Sequence, residues 1–568
     1  MRDGRDRVDW RVVGTLALFA VYALGVSGLE VCAYRLRGEF AVAAARVWVG
    51  SGLVFLLYSL YAVWLTFRRD ARERSPWGYI AVLGVAAVCF WNIQSFEYFF
   101  NGEAAHQIGD ALLYWAEADL RYTGCGHYCY PARQYFLASI PAHFVGRTAV
   151  GLRLGYPWLF FLGSLLFYAG LRAHLRESAN SGVLSAVALL SLLTFPYVVF
   201  FIRDAEQILA PISFTLAATG WYLLWLAEPA VLPTFCLSWI VAMLGTSYTP
   251  ALASWALAIA MLGLTIVARL RAGRRRDAVL LFCVLVVVVT FCLCSFWTRT
   301  DIQIRLYQER RGSLANIWTQ IKGGYEVFLR LSPQRWEGQQ FMSPLWLAPL
   351  CVYLATSLIG LSGVAHFVVA VWSLGVVAAA VYLQGYSVAG PAREMHRAMV
   401  IIPPLLAGSV VVAGRLLERW RLPLKWVAPL LLLPLLVSAS ANFTHAHRTY
   451  FDRVNRYLFE GLRNALAVAG DAGVRAAPVD LYIFSRTMDY NMRDYVAFFL
   501  PNLKRFSLDW QRCVQDFDPG RAALIFFEGD ACAAQLRELM AARPGFREVP
   551  STRGLQGVLF LPPRPEAR

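Results

Sequence analysis

Runs of apolar residues long enough to cross a bilayer fill most of this chain, and no soluble fold can bury so many of them. A span needs ~20 apolar residues; such runs stand at about 12–33, 42–67, 77–98, 153–175, 181–202, 207–227, 230–249, 251–270, 278–298, 344–362, 364–386, 397–415 and 425–440. Composition agrees, with 58% hydrophobic and 16% charged residues against roughly 45–50% and 25% in a soluble domain. The expected fold is therefore an all-α polytopic membrane protein with about thirteen transmembrane helices. The first run reaches Ala33 without a small-residue cleavage site, which predicts a retained span and not a removable signal peptide.

A formal charge of +16 would suggest nucleic acid in a soluble protein. Here the basic residues cluster at the ends of apolar runs, where they orient helices and meet anionic headgroups, so membrane lipids are expected partners and nucleic acid is not. The clusters Arg2/Arg5/Arg7/Arg11, Arg68/Arg69/Arg72/Arg74, Arg172/Arg176, Arg269/Arg271/Arg274/Arg275/Arg276 and Arg415/Arg419/Arg421/Lys425 all fall on one side of a thirteen-span arrangement. Lys and Arg concentrate in cytoplasmic loops, which puts the N-terminus inside and, with an odd count, the C-terminus outside. The apolar stretch 134–146 is too short to cross at ~1.5 Å per residue and is expected to lie in the interface. The external loop 299–343 is unusually basic, carrying Arg299, Arg305, Arg310, Arg311, Lys322, Arg330 and Arg335.

Hydropathy falls after Asn442. Short β-rich runs at 480–485, 522–528 and 557–562 alternate with helical stretches near 450–469 and 532–543, which predicts a small C-terminal α/β layer domain. The expected division is 1–76 (two N-terminal helices), 77–440 (a membrane module with external loops 98–152 and 299–343) and 441–568 (the external α/β domain). Of the eleven Cys, Cys125, Cys129, Cys513 and Cys532 lie outside the spans, and Cys125–Cys129 with Cys513–Cys532 is the simplest of three possible disulfide connectivities.

The chemistry is sought in Glu97 to Arg133, a polar island between spans holding Glu103, Asp110, Glu117 and Asp119 beside His106, His127 and several aromatics; ionisable residues against a membrane are functional candidates. Asp110 opens the run Gly109-Asp110-Ala111-Leu112-Leu113-Tyr114, followed by Gly124, by Pro131 to Gly146 and by Arg153. An acid at a helix start can be merely an N-cap. Yet the order Asp, Tyr four residues on, Gly about fourteen on, then a Pro-Tyr interfacial helix ending in Gly and a span begun through Arg, resembles the first-loop motif of the C-type (GT-C) membrane glycosyltransferases. The nearest group is the protein O-mannosyltransferases and lipid A aminoarabinose transferases. That family often has Glu directly after the Asp; this chain has Ala111, so Glu103, Glu117 or Asp119 would have to substitute. The resemblance spans about 77–440; the first two helices have no counterpart in it.

Two further segments extend the resemblance: Arg203-Asp204-Ala205-Glu206, and Arg393-Glu394-Met395-His396-Arg397 before the Pro403-Pro404 span. It implies transfer from a polyprenyl-phosphate sugar to a lipid, glycan or protein acceptor. Asp110 would be the base, and Asp204 and Glu206 would orient the acceptor or share a divalent cation. Glu103, Tyr114, Arg203 and His396 would line the donor or acceptor site, with Arg397, Arg393, Arg305 and Arg310 receiving phosphate, for which the guanidinium fork is suited. It further implies a protein of the bacterial inner (plasma) membrane whose active site and C-terminal domain are extracytoplasmic. The plainer alternatives are a surface ion pair at Arg203 and a snorkelling anchor at Arg397. A flippase and a non-enzymatic assembly component are the rival functions. The nearly charge-free mid-span sequence disfavours the flippase, because transporters place ionisable or broken segments there.

Overall fold

The computed structural model describes, apart from gaps of one to three residues, residues 10–93, 108–112, 123–131, 133–204, 208–297, 344–384, 395–453, 479–484, 503–507 and 518–560. It is predominantly helical. The membrane part comprises α1 (Trp10–Leu36), α2 (Glu39–Arg72), α3 (Trp77–Phe90), α4 (Arg133–Val145), α5 (Ala149–His174), α6 (Ser181–Ser191), α7 (Pro196–Asp204), α8 (Leu209–Ala227), α9 (Val231–Gly245), α10 (Ala251–Arg271), α11 (Arg275–Trp297), α12 (Pro344–Leu358), α13 (Val364–Gln384), α14 (Ile402–Arg419) and α15 (Ala428–Arg453).

Helix stands at each of the thirteen apolar runs. Among the described residues seven helices are long and apolar enough to span, eight if one bent pair counts as a single span, and further helices contribute shorter apolar segments of 10–17 residues. The chain is thus an integral membrane protein by the length and composition of its helices. The run 181–202, expected as one span, is broken: α6 with its 3-10 end and α7 meet at 71°. The cause is Pro196, which lacks an N–H and disfavours helix at the residue before it. Phe195 accordingly has an extended backbone, φ −88° and ψ 111°.

The closest helix approach joins α5 to α8. A Cβ at Gly170 would lie 2.3 Å from the Gly220 carbonyl oxygen, one at Gly220 2.3 Å from that of Leu166, and one at Gly163 2.4 Å from that of Ser213. In lipid, helices associate through such small-residue seams, because tails and side chains are equally apolar and only close backbone packing favours contact. Trp221 and Trp225 of α8 are among the largest fully buried side chains. Tyr58 of α2 stacks on Trp221 at 5.6 Å and Phe55 on Trp239 of α9 at 4.4 Å, which binds an N-terminal helix onto this core.

At one end of the bundle, Asp70 (α2) is fully buried and accepts hydrogen bonds from Tyr168 Oη at 2.6 Å and Arg172 Nε at 2.7 Å. Arg172 also pairs with Glu73 and donates to Ser181. Arg69 donates to the Arg176 carbonyl at 2.9 Å, and Asn180 Oδ1 accepts from the Leu424 amide at 2.7 Å. These contacts bring three of the basic clusters, at 68–74, 172–176 and 415–425, to the same end.

Beyond the membrane helices lies a mixed five-stranded sheet. Its strands are β3 (Val479–Phe484), β4 (Leu503–Ser507), β5 (Ala522–Glu528), β6 (Phe546–Thr552) and β7 (Leu555–Phe560) in the order β4-β3-β5-β7-β6, with α16 (Asp530–Ala542) between β5 and β6. β3 runs parallel to β4 and β5, while β7 is antiparallel to β5 and β6. Sequence reasoning names the runs of β3, β5 and β7, but not β4 (LKRFS) or β6 (FREVPST), whose charged and proline residues mask the period-two signal. The helix expected at 450–469 lies largely outside the described residues.

Candidate functional site

The site is built where the polar island meets α5. A two-stranded ribbon, β1 (Thr123–Cys125) and β2 (Cys129–Pro131), puts Cys125 directly opposite Cys129 in the antiparallel register. α4 follows at once, and its first turns are buried through Arg133, Gln134, Tyr135 and Phe136 while Phe144 at its far end is exposed. The 134–146 stretch is thus a helix packed along α5. Trp158 Nε1 donates to the Leu137 carbonyl at 3.1 Å, and the reversal between the helices uses Gly146 at φ +83° with Thr148 capping α5 by accepting from the Gly151 amide.

Helical residues 108, 109, 111 and 112 frame Asp110. Ile108 and Ala111 are fully buried, and the absence of a side chain at Gly155 is what admits this turn: a Cβ there would lie 2.6 Å from Ile108 Cδ1 and 3.0 Å from the Ala138 carbonyl. The 108–112 turn, α4 and α5 therefore converge at Gly155, two residues from buried Arg153. Arg133 is equally buried, with its guanidinium 4.2 Å from the Phe291 ring centre, an arrangement in which a cation is held by the ring face.

Arg203, at the end of α7, donates through Nη1 to the carbonyls of Val88 at 3.3 Å and Trp91 at 2.9 Å, and lies 5.0 Å from the Phe443 ring centre. It satisfies the open carbonyls that end α3, a use of Arg at helix C-termini that follows from the unpaired last carbonyls. Phe90 of α3 packs edge-on against Phe161 of α5 at 5.2 Å, so α3 ends in the same half of the bundle as Arg153.

Of the other sequence candidates, Asp110, Glu103, Tyr114, Glu206, Arg393, Arg305 and Arg310 lie outside the described residues. Asp204 closes α7, and His396 and Arg397 lie on the 3-10 turn Met395–Ile401 that leads into α14; their side chains are likewise outside the described part. The metal reading rests on Asp204 and Glu206 and shares that standing. Sequence reasoning gives Arg153 only as the start of a span and assigns Arg133 no role; a basic residue two after Pro131 and directly before an apolar stretch is the signal that marks it.

No protein-family model matches the chain, and no curated protein does. Among solved structures it is similar to the crystal structure of ArnT from Cupriavidus metallidurans bound to undecaprenyl phosphate, over 85% of this chain and 98% of that one, at 14% identity and a TM-score of 0.49.

Proposed function

We propose that this protein is a C-type membrane glycosyltransferase that moves a sugar from a polyprenyl-phosphate donor to a lipid, glycan or protein acceptor on the extracytoplasmic face. All thirteen apolar helices would cross the bilayer, and the strands at 479–560 would form the external α/β domain. The observation that carries the reading is the convergence at Gly155: the turn framing Asp110, helix α4 and Arg153 meet there, and these are the parts in which the sequence motif resembles that family.

The reaction forms a bond between an acceptor oxygen and the anomeric carbon and breaks that carbon's bond to the donor phosphate. The Asp110 carboxylate takes the acceptor proton on one face, while cations neutralise the departing phosphate on the other. Arg397 and Arg393, with Arg305 or Arg310, would grip that phosphate. Asp204 and Glu206 would orient the acceptor, and a divalent cation held between them would supply further charge neutralisation. Arg203 is a positioning residue, fixing the end of α3 beside this space.

The test compares envelope glycolipids, glycans and glycoproteins by mass spectrometry in cells with the wild-type chain, without it, and with Asp110→Asn. One glycoform should vanish without the protein. It should fall by about 100-fold or more with Asp110→Asn, the usual scale of a lost general base, while the variant purifies as a monodisperse membrane protein. Full glycosylation with Asp110→Asn would refute the assignment.

A further inference from the structure

A cavity opens at the end of the bundle remote from Gly155. On α5, Arg153 and His174 are separated by 21 residues, which at ~1.5 Å per residue is ~32 Å, the thickness of a bilayer's hydrocarbon core. His174 borders a cavity of about 220 Å³ enclosed by α5, α8, α9, α10, α12, α13 and α14. Its walls are mostly Leu, Val, Ala and Met, and several of the polar groups among them are tied up within the protein. Thr215 Oγ1 bonds the Pro211 carbonyl at 2.7 Å and Ser254 Oγ at 2.8 Å, and Tyr222 Oη meets Thr265 Oγ1 at 2.6 Å. Such an interior has no use for a polar guest.

The mouth is different in kind, being formed by His174, His366 and Arg415. Tyr353 Oη and His366 Nδ1 are 3.0 Å apart. That hydrogen bond fixes the ring and leaves Nε2 as its other polar atom. Tyr353 can lie this close to α14 only because position 408 is glycine, where a Cβ would be 2.1 Å from its hydroxyl. Arg415 is exposed, and no ion pair between it and an acid is seen among the described residues. Arg415 and His174 both act electrostatically on His366, so the three basic groups form one cluster.

From this pairing of a dry apolar interior with a basic rim, we propose that the cavity binds a single-chain carboxylate amphiphile, a free fatty acid. The carboxylate would sit at Arg415 and the two histidines and the end of the acyl chain among α8, α10 and α14. Size favours one chain: an apolar cavity of ~150 Å³ holds a benzene, so 220 Å³ takes the end of one acyl chain and not the paired chains of a phospholipid. Charge favours a carboxylate, which matches the guanidinium fork in two-pronged fashion. The basic rim lies a membrane thickness from Arg153 and involves none of the residues assigned to sugar transfer, while the apolar interior reaches back to Thr215, level with Gly163 of α5.

The test uses the full-length protein in detergent and a palmitic acid probe carrying a mid-chain diazirine and a terminal alkyne. Ultraviolet cross-linking should label peptides of α8, α10 or α14. Excess palmitate should reduce that labelling fivefold or more, and methyl palmitate should not. Arg415→Gln should lower labelling at least fivefold, and Thr219→Phe, which fills the cavity, should lower it as much. If Thr219→Phe does not fold, the exposed Arg415→Gln substitution decides alone. Equal competition by methyl palmitate, or unchanged labelling in Arg415→Gln, would overturn the proposal. So would stronger competition by a polyprenyl monophosphate than by palmitate, which would give the cavity to the lipid of the transfer reaction.

Discussion

The two ends of α5 use the same residue type in opposite ways. Arg172, near its C-terminus, is enclosed by Asp70, Glu73 and Ser181; its charge is consumed in holding α2, α5 and α6 together. Arg153, near the N-terminus, is as deeply buried but sits two residues from Gly155, where the turn that frames Asp110 packs. A buried cation locked among acids is a fastener, whereas one placed beside the candidate base is a candidate for work on substrate. The contrast teaches that burial alone does not identify a functional arginine. What surrounds it does.

The comparison breaks most visibly at Asp70. Asp70→Ala removes the acid from a buried pair and should cost about 3–5 kcal/mol, seen as loss of monodisperse protein or a large drop in melting temperature. Arg172→Met added to Asp70→Ala should restore much of it. If Asp70→Ala melts like wild type, the network is not the fastener described above. At the other end, Arg397→Lys should leave expression and melting unchanged but reduce transfer about tenfold, ~1.4 kcal/mol. Full activity there, with misinsertion of Arg397→Ala, would make Arg397 a helix anchor.

The smallest effect is a pH dependence. Glu73 is affected first by partial burial, which raises its pKa, but contacts with Arg69 and Arg172 outweigh this and hold it below the ordinary value of 4.5. A depressed folded-state pKa contributes stability that is present above the unfolded value and lost as pH falls through the folded one. Melting curves of wild type and Glu73→Gln should therefore converge below about pH 4.5 and separate slightly above it. Because Glu73 is substantially exposed, the separation is modest; curves that diverge toward low pH would contradict the assignment.

Hydropathy alone locates a helix at each of the thirteen apolar runs, since ~20-residue apolar runs have few other uses. It cannot foresee the 71° break, because a proline in an apolar run may either be absorbed in a helix, as Pro157 is in α5, or divide it, as Pro196 does. The Asp70 network was within reach: a single acid set among Arg68, Arg69 and Arg72, and Tyr168 and Arg172 four apart on one helix face. Pairing them requires knowing that α2 and α5 are neighbours, which local sequence does not contain. For the site, the motif names Asp110, Tyr114 and Arg153 by spacing. The meeting of the 108–112 turn, α4 and α5 at Gly155 is a tertiary fact, visible only once α4 folds back along α5.

The glycine seam between α5 and α8 also sets an order of events during biosynthesis. Gly170 and Gly220 touch across the seam, yet roughly fifty residues separate them, and at ~5–20 residues per second their synthesis takes about 3–10 s. For that interval α5 waits in the bilayer with its small-residue face against lipid while α6 and α7 emerge as a bent pair that cannot fill it. This joint therefore closes only after α6 and α7 have been made, and any bulky side chain placed on its α5 face would be met first by the insertion machinery and only afterwards by α8.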